Sequence, residues 1–174
     1  MWRFSIPMLL LAAVTSCSSR EAKPVTQVSL TSAAFQPGQS IPARYTCDGE
    51  NVSPPLNWSE PPPGTRSFAL VVDDPDAPSG TFHHWGAYNV PASTRAIAEG
   101  QAVGSQAIND FGKLGYGGPC PPPGHVPHRY RFKLFALDGD LSLPVNAKVT
   151  DVEAQAQNHL LGRGELVGTY ERRR

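Results

Sequence analysis

The stretch from Asp73 to Val90 reads D-D-P-D-A-P-S-G-T-F-H-H-W-G-A-Y-N-V, and the rest of the chain is organised around it. The run before it, Ser67 to Val72 (S-F-A-L-V-V), is nearly all apolar. Such a run predicts a strand that is covered on both faces. Two prolines and a glycine then predict a stiff turn. We expect His84 to Val90 to form the return strand, which ends at Pro91.

A second proline-rich loop lies at Gly117 to Tyr130, which reads G-G-P-C-P-P-P-G-H-V-P-H-R-Y. It leads into Arg129 to Leu137, where basic and apolar residues alternate. This alternation predicts a strand with one solvated basic face and one buried apolar face. We expect the two loops to form the walls of one small anion-binding pocket.

The remaining elements predict a mostly β protein. We expect one helix late in the chain, Val152 to Leu161, with Thr150 or Asp151 as its N-cap and Gly162 as its stop. Further short strands are predicted at Val25–Leu30, Ile41–Tyr45 and Glu165–Tyr170. Many strands, one helix and no alternation of strands with helices predict an antiparallel β-sandwich.

The N-terminal residues predict export. Residues 1–16 contain Arg3 followed by an apolar run that is too short to span a bilayer, as in a signal peptide. The run ends in V-T-S-C, which resembles a bacterial lipobox and implies lipid attachment at Cys17. Ser18 at the next position favours the outer membrane for such a lipoprotein. An ordinary signal peptide cut nearby is the alternative.

Domain boundaries follow from this prediction. Residues 17–24 read as a polar tether, and residues 25–174 as a single domain. The 174-residue chain has 15 basic and 15 acidic residues, so its charge gives no indication of a nucleic-acid partner. Its 18 prolines and 16 glycines are spread without a period, which indicates a loop-rich β protein.

Cysteine usage leaves two states open. The chain has three cysteines, and if Cys17 carries lipid, only Cys47 and Cys120 are available to pair with each other. In an oxidising compartment they could form a disulfide that clamps the second loop to the domain. The alternative is a pair of buried free thiols. The chain has no C-x-x-C spacing that would indicate a zinc site.

The chemistry of the two loops favours an anion site. His84 and His128 can supply imidazolium donors, while glycine turns allow backbone N–H groups to approach a ligand. Asp74 and Asp76 could accept hydrogen bonds from these histidines, or they could simply cap the turns. Because neighbouring residues on a strand face opposite sides, only one of His83 and His84 should line the pocket.

Other chemistries remain as alternatives. A metal could be held by three or more of Asp74, Asp76, His84 and His128, but no spacing here is diagnostic. No G-x-S-x-G motif is present to indicate a serine nucleophile. We therefore expect no metal and no cofactor.

Several motifs together resemble the phosphatidylethanolamine-binding protein family, in its bacterial Raf kinase inhibitor-like branch. They are D-P-D-A-P, H-H-W, G-P-C-P-P-P-G-H-V-P-H-R-Y-R-F, C-D-G-E-N-V-S-P-P-L-N-W and E-L-V-G-T-Y-E-R. The resemblance implies a Greek-key β-sandwich with a pocket for phosphate, phosphoryl headgroups or similar anions. By matching positions it implies a lining of Asp74, Asp76, Pro78, His84, Gly118, Pro119, His128 and Tyr130.

Three functions follow as hypotheses. The first is a non-enzymatic, lipid-anchored binding protein for a small phosphorylated compound or a phospholipid headgroup. The second is a hydrolase or lyase that uses His84 or His128 as general base, with Asp76 orienting it. The third is an envelope protein that inhibits or binds a partner protein through the pocket rim.

Overall fold

Nine strands and one helix are present in residues 24–173, which are the residues that this computed structural model describes. The strands are β1 (Thr26–Gln27), β2 (Leu30–Thr31), β3 (Leu56–Trp58), β4 (Ser67–Asp74), β5 (Phe82–Pro91), β6 (Ala96–Ile97), β7 (Ser105–Gln106), β8 (His128–Leu137) and β9 (Leu160–Tyr170). Helix α1 (Val149–Asn158) lies between β8 and β9. The predicted signal peptide, Cys17 and nearly all of the tether lie outside the described residues.

Two sheets form the sandwich. The larger has the strand order β1-β9-β8-β4-β5-β7, and the smaller has the order β2-β3-β6. The pairs are antiparallel except β1 with β9, which run parallel. The predicted mostly β sandwich with one late helix is therefore confirmed, although its larger sheet is mixed rather than purely antiparallel.

Strand β4 lies at the centre of the larger sheet, between β5 and β8. Phe68, Leu70 and Val72 face the core between the two sheets. Ala69 and Val71 face a second apolar cluster, to which α1 contributes. All eight residues of the strand are buried, as the unbroken apolar run predicts for a strand covered on both faces.

Several predicted boundaries are wrong. The single strand expected at Val25–Leu30 is split between the two sheets as β1 and β2, and Ile41–Tyr45 contains a 3-10 helix at Ala43–Tyr45. Helix α1 begins one residue before Thr150. The Asp151 carboxylate accepts the Lys148 N–H at 2.8 Å and so satisfies a backbone donor at the helix start. Gly162 lies inside β9 rather than at the helix end.

The basic face of β8 is not simply solvated. Asp73 is buried at the end of β4, and its carboxylate accepts hydrogen bonds from Arg131 Nε at 2.7 Å and Nη2 at 2.8 Å. Lys133 Nζ lies 2.7 Å from the same carboxylate. Burial opposes ionisation of Asp73, but the hydrogen bonds from these two cations outweigh it and lower its pKa. Two of the three cations of the stripe therefore neutralise a buried acid.

Candidate functional site

A β-bulge at the start of β5 places His84 in the site. Val72 pairs with Trp85 and Asp73 pairs with His83, so His84 is the extra residue on β5. His83 faces the helix side of the sheet, where its Nδ1 lies 3.0 Å from Asp110. Because of the bulge, both His84 and Trp85 pack toward the inner side. Of the two adjacent histidines, His84 lines the pocket described below and His83 does not.

A buried Asp–His pair forms the back of the site. His128 Nδ1 lies 2.8 Å from Asp74 Oδ2, and the two side chains are only 3% and 4% exposed. The other carboxylate oxygen of Asp74 accepts the Asp76 N–H at 2.8 Å. Both oxygens of Asp74 are therefore used to hold the first loop and the His128 ring in place.

The His84 ring is held by the second loop. Its Nδ1–H donates to the Gly117 carbonyl at 2.8 Å, and the Gly117 N–H donates back to the His84 carbonyl at 2.9 Å. The ring packs against Phe82, Phe111 and Tyr130 at centroid distances of 5.0, 5.4 and 5.2 Å. Burial among these rings lowers the pKa of His84, so its neutral form is favoured.

A disulfide anchors the second loop. Cys47 and Cys120 form a disulfide with a Cα–Cα distance of 5.4 Å. Of the two states that the sequence left open, the structure contains the disulfide and not the free thiols. The Cys47 N–H also donates to the Pro119 carbonyl at 3.0 Å. The loop that carries Cys120 is thereby tied to the segment before β3.

These elements surround a pocket of about 230 Å³. Such a pocket is smaller than a drug-sized site and suits a small polar ligand. Its walls combine two histidines and a carboxylate with aromatic, proline and small side chains. They are Asp74, Ala77, Pro78, Ser79, Phe82, His84, Phe111, Cys120, Pro121, Pro122 and His128.

Four of the eight predicted site residues line this pocket, namely Asp74, Pro78, His84 and His128. Asp76 instead accepts hydrogen bonds from Arg129 Nε at 2.9 Å and Nη2 at 2.6 Å. The bond to the Arg129 guanidinium lowers the pKa of Asp76 to about 2. Asp76 therefore ties the first loop to the start of β8 and does not hold a histidine.

The other three predicted residues support the walls. At Gly118, a Cβ would lie 2.4 Å from the Tyr45 carbonyl oxygen, so only glycine allows this close approach. Pro119 is buried against Cys47. Tyr130 is fully buried below His84, and its hydroxyl has no hydrogen-bond partner within residues 24–173. Burial raises the pKa of Tyr130 and keeps its hydroxyl protonated.

Phe82 and Phe111 were not predicted as site residues. Their rings pack edge to face at 4.8 Å and form the aromatic wall beside His84. Phe111 lies in the loop N-D-F-G-K and remains 43% exposed. The available signal was a phenylalanine in an otherwise polar loop, since such a residue needs an apolar partner.

One cluster with metal-ligand spacing occurs in the described part of the chain, formed by Asp73, His83 and Glu153. It lies on the helix side of the sheet, and the Lys133 ammonium bonds both of its carboxylates. The alternative metal set of Asp74, Asp76, His84 and His128 is not gathered at metal-binding distances there. A larger groove of about 460 Å³ adjoins Lys133 and Glu153, which are paired with each other.

Comparisons with known proteins agree with this fold. The sequence profile described as "Phosphatidylethanolamine-binding protein" matches residues 31–171. The chain therefore belongs to the phosphatidylethanolamine-binding protein family, and the resemblance seen in its motifs is confirmed. The crystal structure of Escherichia coli YbcL, described as a member of the mammalian PEBP family, superposes with a TM-score of 0.78 at 33% identity. The match covers 84% of this chain and 99% of YbcL, which fits the bacterial branch.

Two curated relatives extend the comparison. A "UPF0098 protein" of Aquifex aeolicus is 48% identical over 148 residues, which are 81% of this chain and 86% of the relative. A relative from Mycobacterium tuberculosis named "Putative lipoprotein LppC" is 38% identical over 167 residues, which are 95% of this chain and 83% of the relative. Neither name states an enzymatic activity. Within residues 24–173, no helix combines the length and apolarity needed to cross a bilayer.

Proposed function

We propose that this protein binds a small phosphoryl compound or a similar anion in the pocket between its two proline-rich loops, without transforming it. The observation that carries the proposal is the buried Asp74–His128 pair beside His84 at a pocket of about 230 Å³. Asp74 accepts the Nδ1–H of His128 and fixes the orientation of the ring, which leaves Nε2 as the ring nitrogen that can hydrogen-bond to a ligand.

The walls favour a preformed site. The second loop is held by a disulfide and by hydrogen bonds to His84, and the first is held by Asp74 and by the Asp76–Arg129 pair. Because little ordering remains to be done on binding, a small ligand can bind with useful affinity. Exposed Phe111 adds an apolar surface for the part of the ligand that carries the phosphoryl group.

We also propose that the protein is attached to the cell envelope through lipid on Cys17. The V-T-S-C sequence and the lipoprotein name of the relative LppC support this proposal. Mass spectrometry of the mature N-terminal peptide should find Cys17 diacylated, and Cys17→Ser should abolish the modification. A mature N-terminus without lipid at Cys17 would refute the anchor.

The binding proposal is tested by thermal-shift titration of the full chain with inorganic phosphate and phosphoethanolamine. At 100 times the dissociation constant a ligand stabilises by about 2.7 kcal/mol, or roughly 5–11 °C for a domain of this size. His128→Gln should remove the shift. His159→Gln is the matched control, because His159 pairs with Asp138 at the same 2.8 Å but is exposed. No shift with either compound would refute the proposal.

General-base catalysis is the second candidate, and the Asp74–His128 pair favours it. A carboxylate that holds Nδ1–H leaves Nε2 able to accept a proton from water or a ligand. The orienting acid would be Asp74 and not Asp76, which is occupied by Arg129. A screen of phosphate esters and carboxylic esters should then find turnover that is lost in His128→Gln but kept in His159→Gln. If the protein binds phosphoethanolamine and later releases it unchanged, with no product formed, catalysis on that compound is excluded.

A further inference from the structure

A second pocket, of about 370 Å³, shares no lining residue with the pocket between the two proline-rich loops. It is formed by residues 51–53, 100–102 and 114–116, together with Trp85 and Gln106 from the larger sheet. We call it the Trp85 pocket. It is a separate site, although the loop that carries Phe111 to the first pocket also carries Leu114 to this one.

The walls of the Trp85 pocket are apolar and uncharged. The rings of Trp85 and Tyr116 pack edge to face with their centroids 5.6 Å apart, and Val52 and Leu114 add aliphatic surface. None of the described residues that line the pocket carries a charge. A cavity of this volume with mostly apolar walls and a few polar groups is typical of a small-molecule site. Because a charge buried without a partner is costly, these walls favour an uncharged ligand.

Ser53 supplies a polar group that the protein leaves unused. The residue is 3% exposed, and its hydroxyl has no hydrogen-bond partner within residues 24–173. In the same part of the chain, the unpaired side-chain polar atoms that are sealed from solvent are Trp58 Nε1 and Tyr130 Oη. The Ser53 hydroxyl is therefore open, and the space that Ser53 lines is the Trp85 pocket. Since buried hydroxyls are normally hydrogen-bonded, this one is available to a ligand.

Hydrogen bonds hold the aromatic rings of the pocket in place. Trp85 Nε1–H donates to Gln106 Oε1 at 2.8 Å, and Gln106 Nε2 donates in turn to the Val103 carbonyl at 2.6 Å. The Tyr116 hydroxyl donates to the Tyr45 carbonyl at 2.7 Å. The pocket is therefore preformed, and little ordering remains to be done when a ligand binds.

We infer that the Trp85 pocket is a second binding site, and that it takes an uncharged ring compound whose carbonyl or hydroxyl oxygen accepts a hydrogen bond from Ser53. The apolar ring would lie against Trp85 and Tyr116. Trp85 and Ser53 are recessed, at 1% and 3% exposure, so a compound that enters the pocket can reach them and the flat surface of a partner protein cannot. This inference does not depend on the proposed function, because the two pockets have different walls.

The test is an NMR titration of the full chain with benzamide and with benzoate. Benzamide is an uncharged ring with a carbonyl acceptor, and benzoate has nearly the same shape with a negative charge. With benzamide, the Trp85 Nε1–H signal in ¹H–¹⁵N spectra should move and saturate. For a probe of this size we expect a dissociation constant of roughly 1–10 mM. Benzoate should bind at least about tenfold more weakly, because the walls offer no cation.

Two variants test the residues, each with a matched control. Ser53→Ala should weaken benzamide binding roughly 2- to 10-fold, which is the effect of one neutral hydrogen bond, while Ser142→Ala at an exposed serine should not. Ala102→Phe should abolish the movement of the Trp85 signal, because the larger ring fills the pocket. Ala102 is exposed, so this change does not enter the core. Ala154→Phe, at an exposed position of α1, should bind benzamide as the wild type does.

Circular dichroism establishes that each variant is folded. The inference would be overturned if benzamide caused no saturable movement of the Trp85 signal, or if benzoate bound as tightly as benzamide. It would also be overturned if folded Ser53→Ala or folded Ala102→Phe bound benzamide with the wild-type affinity. None of these results bears on the proposed phosphoryl site, which the phosphate titration tests separately.

Discussion

Replacing Asp74 by alanine should destabilise the protein through the groups that lose their acceptor. Asp74 accepts from His128 Nδ1 and from the Asp76 N–H, both at 2.8 Å. Each donor left unpaired in a buried site costs about 1–3 kcal/mol, so two such donors cost about 2–6 kcal/mol. Water in the adjoining pocket can satisfy part of this need. We therefore expect a loss of about 2–4 kcal/mol in the free energy of unfolding.

The chain contains a matched control for this prediction. His159 and Asp138 form a pair with the same 2.8 Å distance, but their side chains are 40% and 50% exposed. Asp138→Ala should therefore cost at most about 1 kcal/mol, because exposed ion pairs contribute little. The two pairs share their residue types and their Nδ1–carboxylate distance, and they differ in burial and in the Asp76 N–H bond that only Asp74 accepts.

Urea unfolding of the full chain measures both variants, with circular dichroism as the probe. A change in midpoint at constant slope reports stability alone. If Asp74→Ala loses no more stability than Asp138→Ala, the Asp74–His128 pair is hydrated in solution. The argument for a desolvated ligand pocket would then be wrong.

Three further predictions concern the elements that hold the pocket. Burial lowers the pKa of His84, so below pH about 6.5 the unfolded chain binds a proton on this ring that the folded chain does not bind. The stability advantage of the wild type over His84→Gln should therefore shrink by up to ~1.4 kcal/mol per pH unit as pH falls, and urea unfolding from pH 7 to pH 5 checks this. The Cys47–Cys120 disulfide closes a loop of 73 positions, so replacing both cysteines by alanine should lower the free energy of unfolding by about 4 kcal/mol. A loss of less than about 1 kcal/mol would contradict this prediction. Lys133→Met should lower the free energy of unfolding by about 1–3 kcal/mol, because Lys133 pairs with the buried carboxylate of Asp73. Arg129→Ala should lower it by less than about 1 kcal/mol, because the Arg129 side chain is 61% exposed.

The larger features of the fold could be predicted from local patterns. The unbroken apolar run of Ser67–Val72 indicated a central strand, and residues of both predicted loops, the one after this strand and the one before β8, line the same pocket. The helix ends could not be placed as well. The backbone of Lys148 donates to Asp151, a side chain one turn into the helix, and the residues after Asn158 turn directly into β9. Short edge strands were also missed, because two residues carry no periodicity.

The site itself depended on features that a sequence pattern does not contain. Strict alternation along β5 would put Trp85 and His84 on opposite faces, and the bulge brings both to the inner side. Asp74 and Asp76 have the same chemistry in the same turn, yet only the fold brings His128 to one and Arg129 to the other. The state of His84 is decided by a carbonyl 33 positions away, Gly117.

Long-range ¹H–¹⁵N spectra of the histidine rings would test the central claim most directly, because they report each ring nitrogen separately. In the free protein, His84 should have a protonated Nδ1 and an unprotonated Nε2. On titration with inorganic phosphate, the Nε2 signals of His84 and His128 should move together and saturate, while those of exposed His159 should not change. Phosphate that moves only the exposed histidines, or that leaves both pocket rings unchanged at high concentration, would contradict a phosphoryl-binding pocket between these loops.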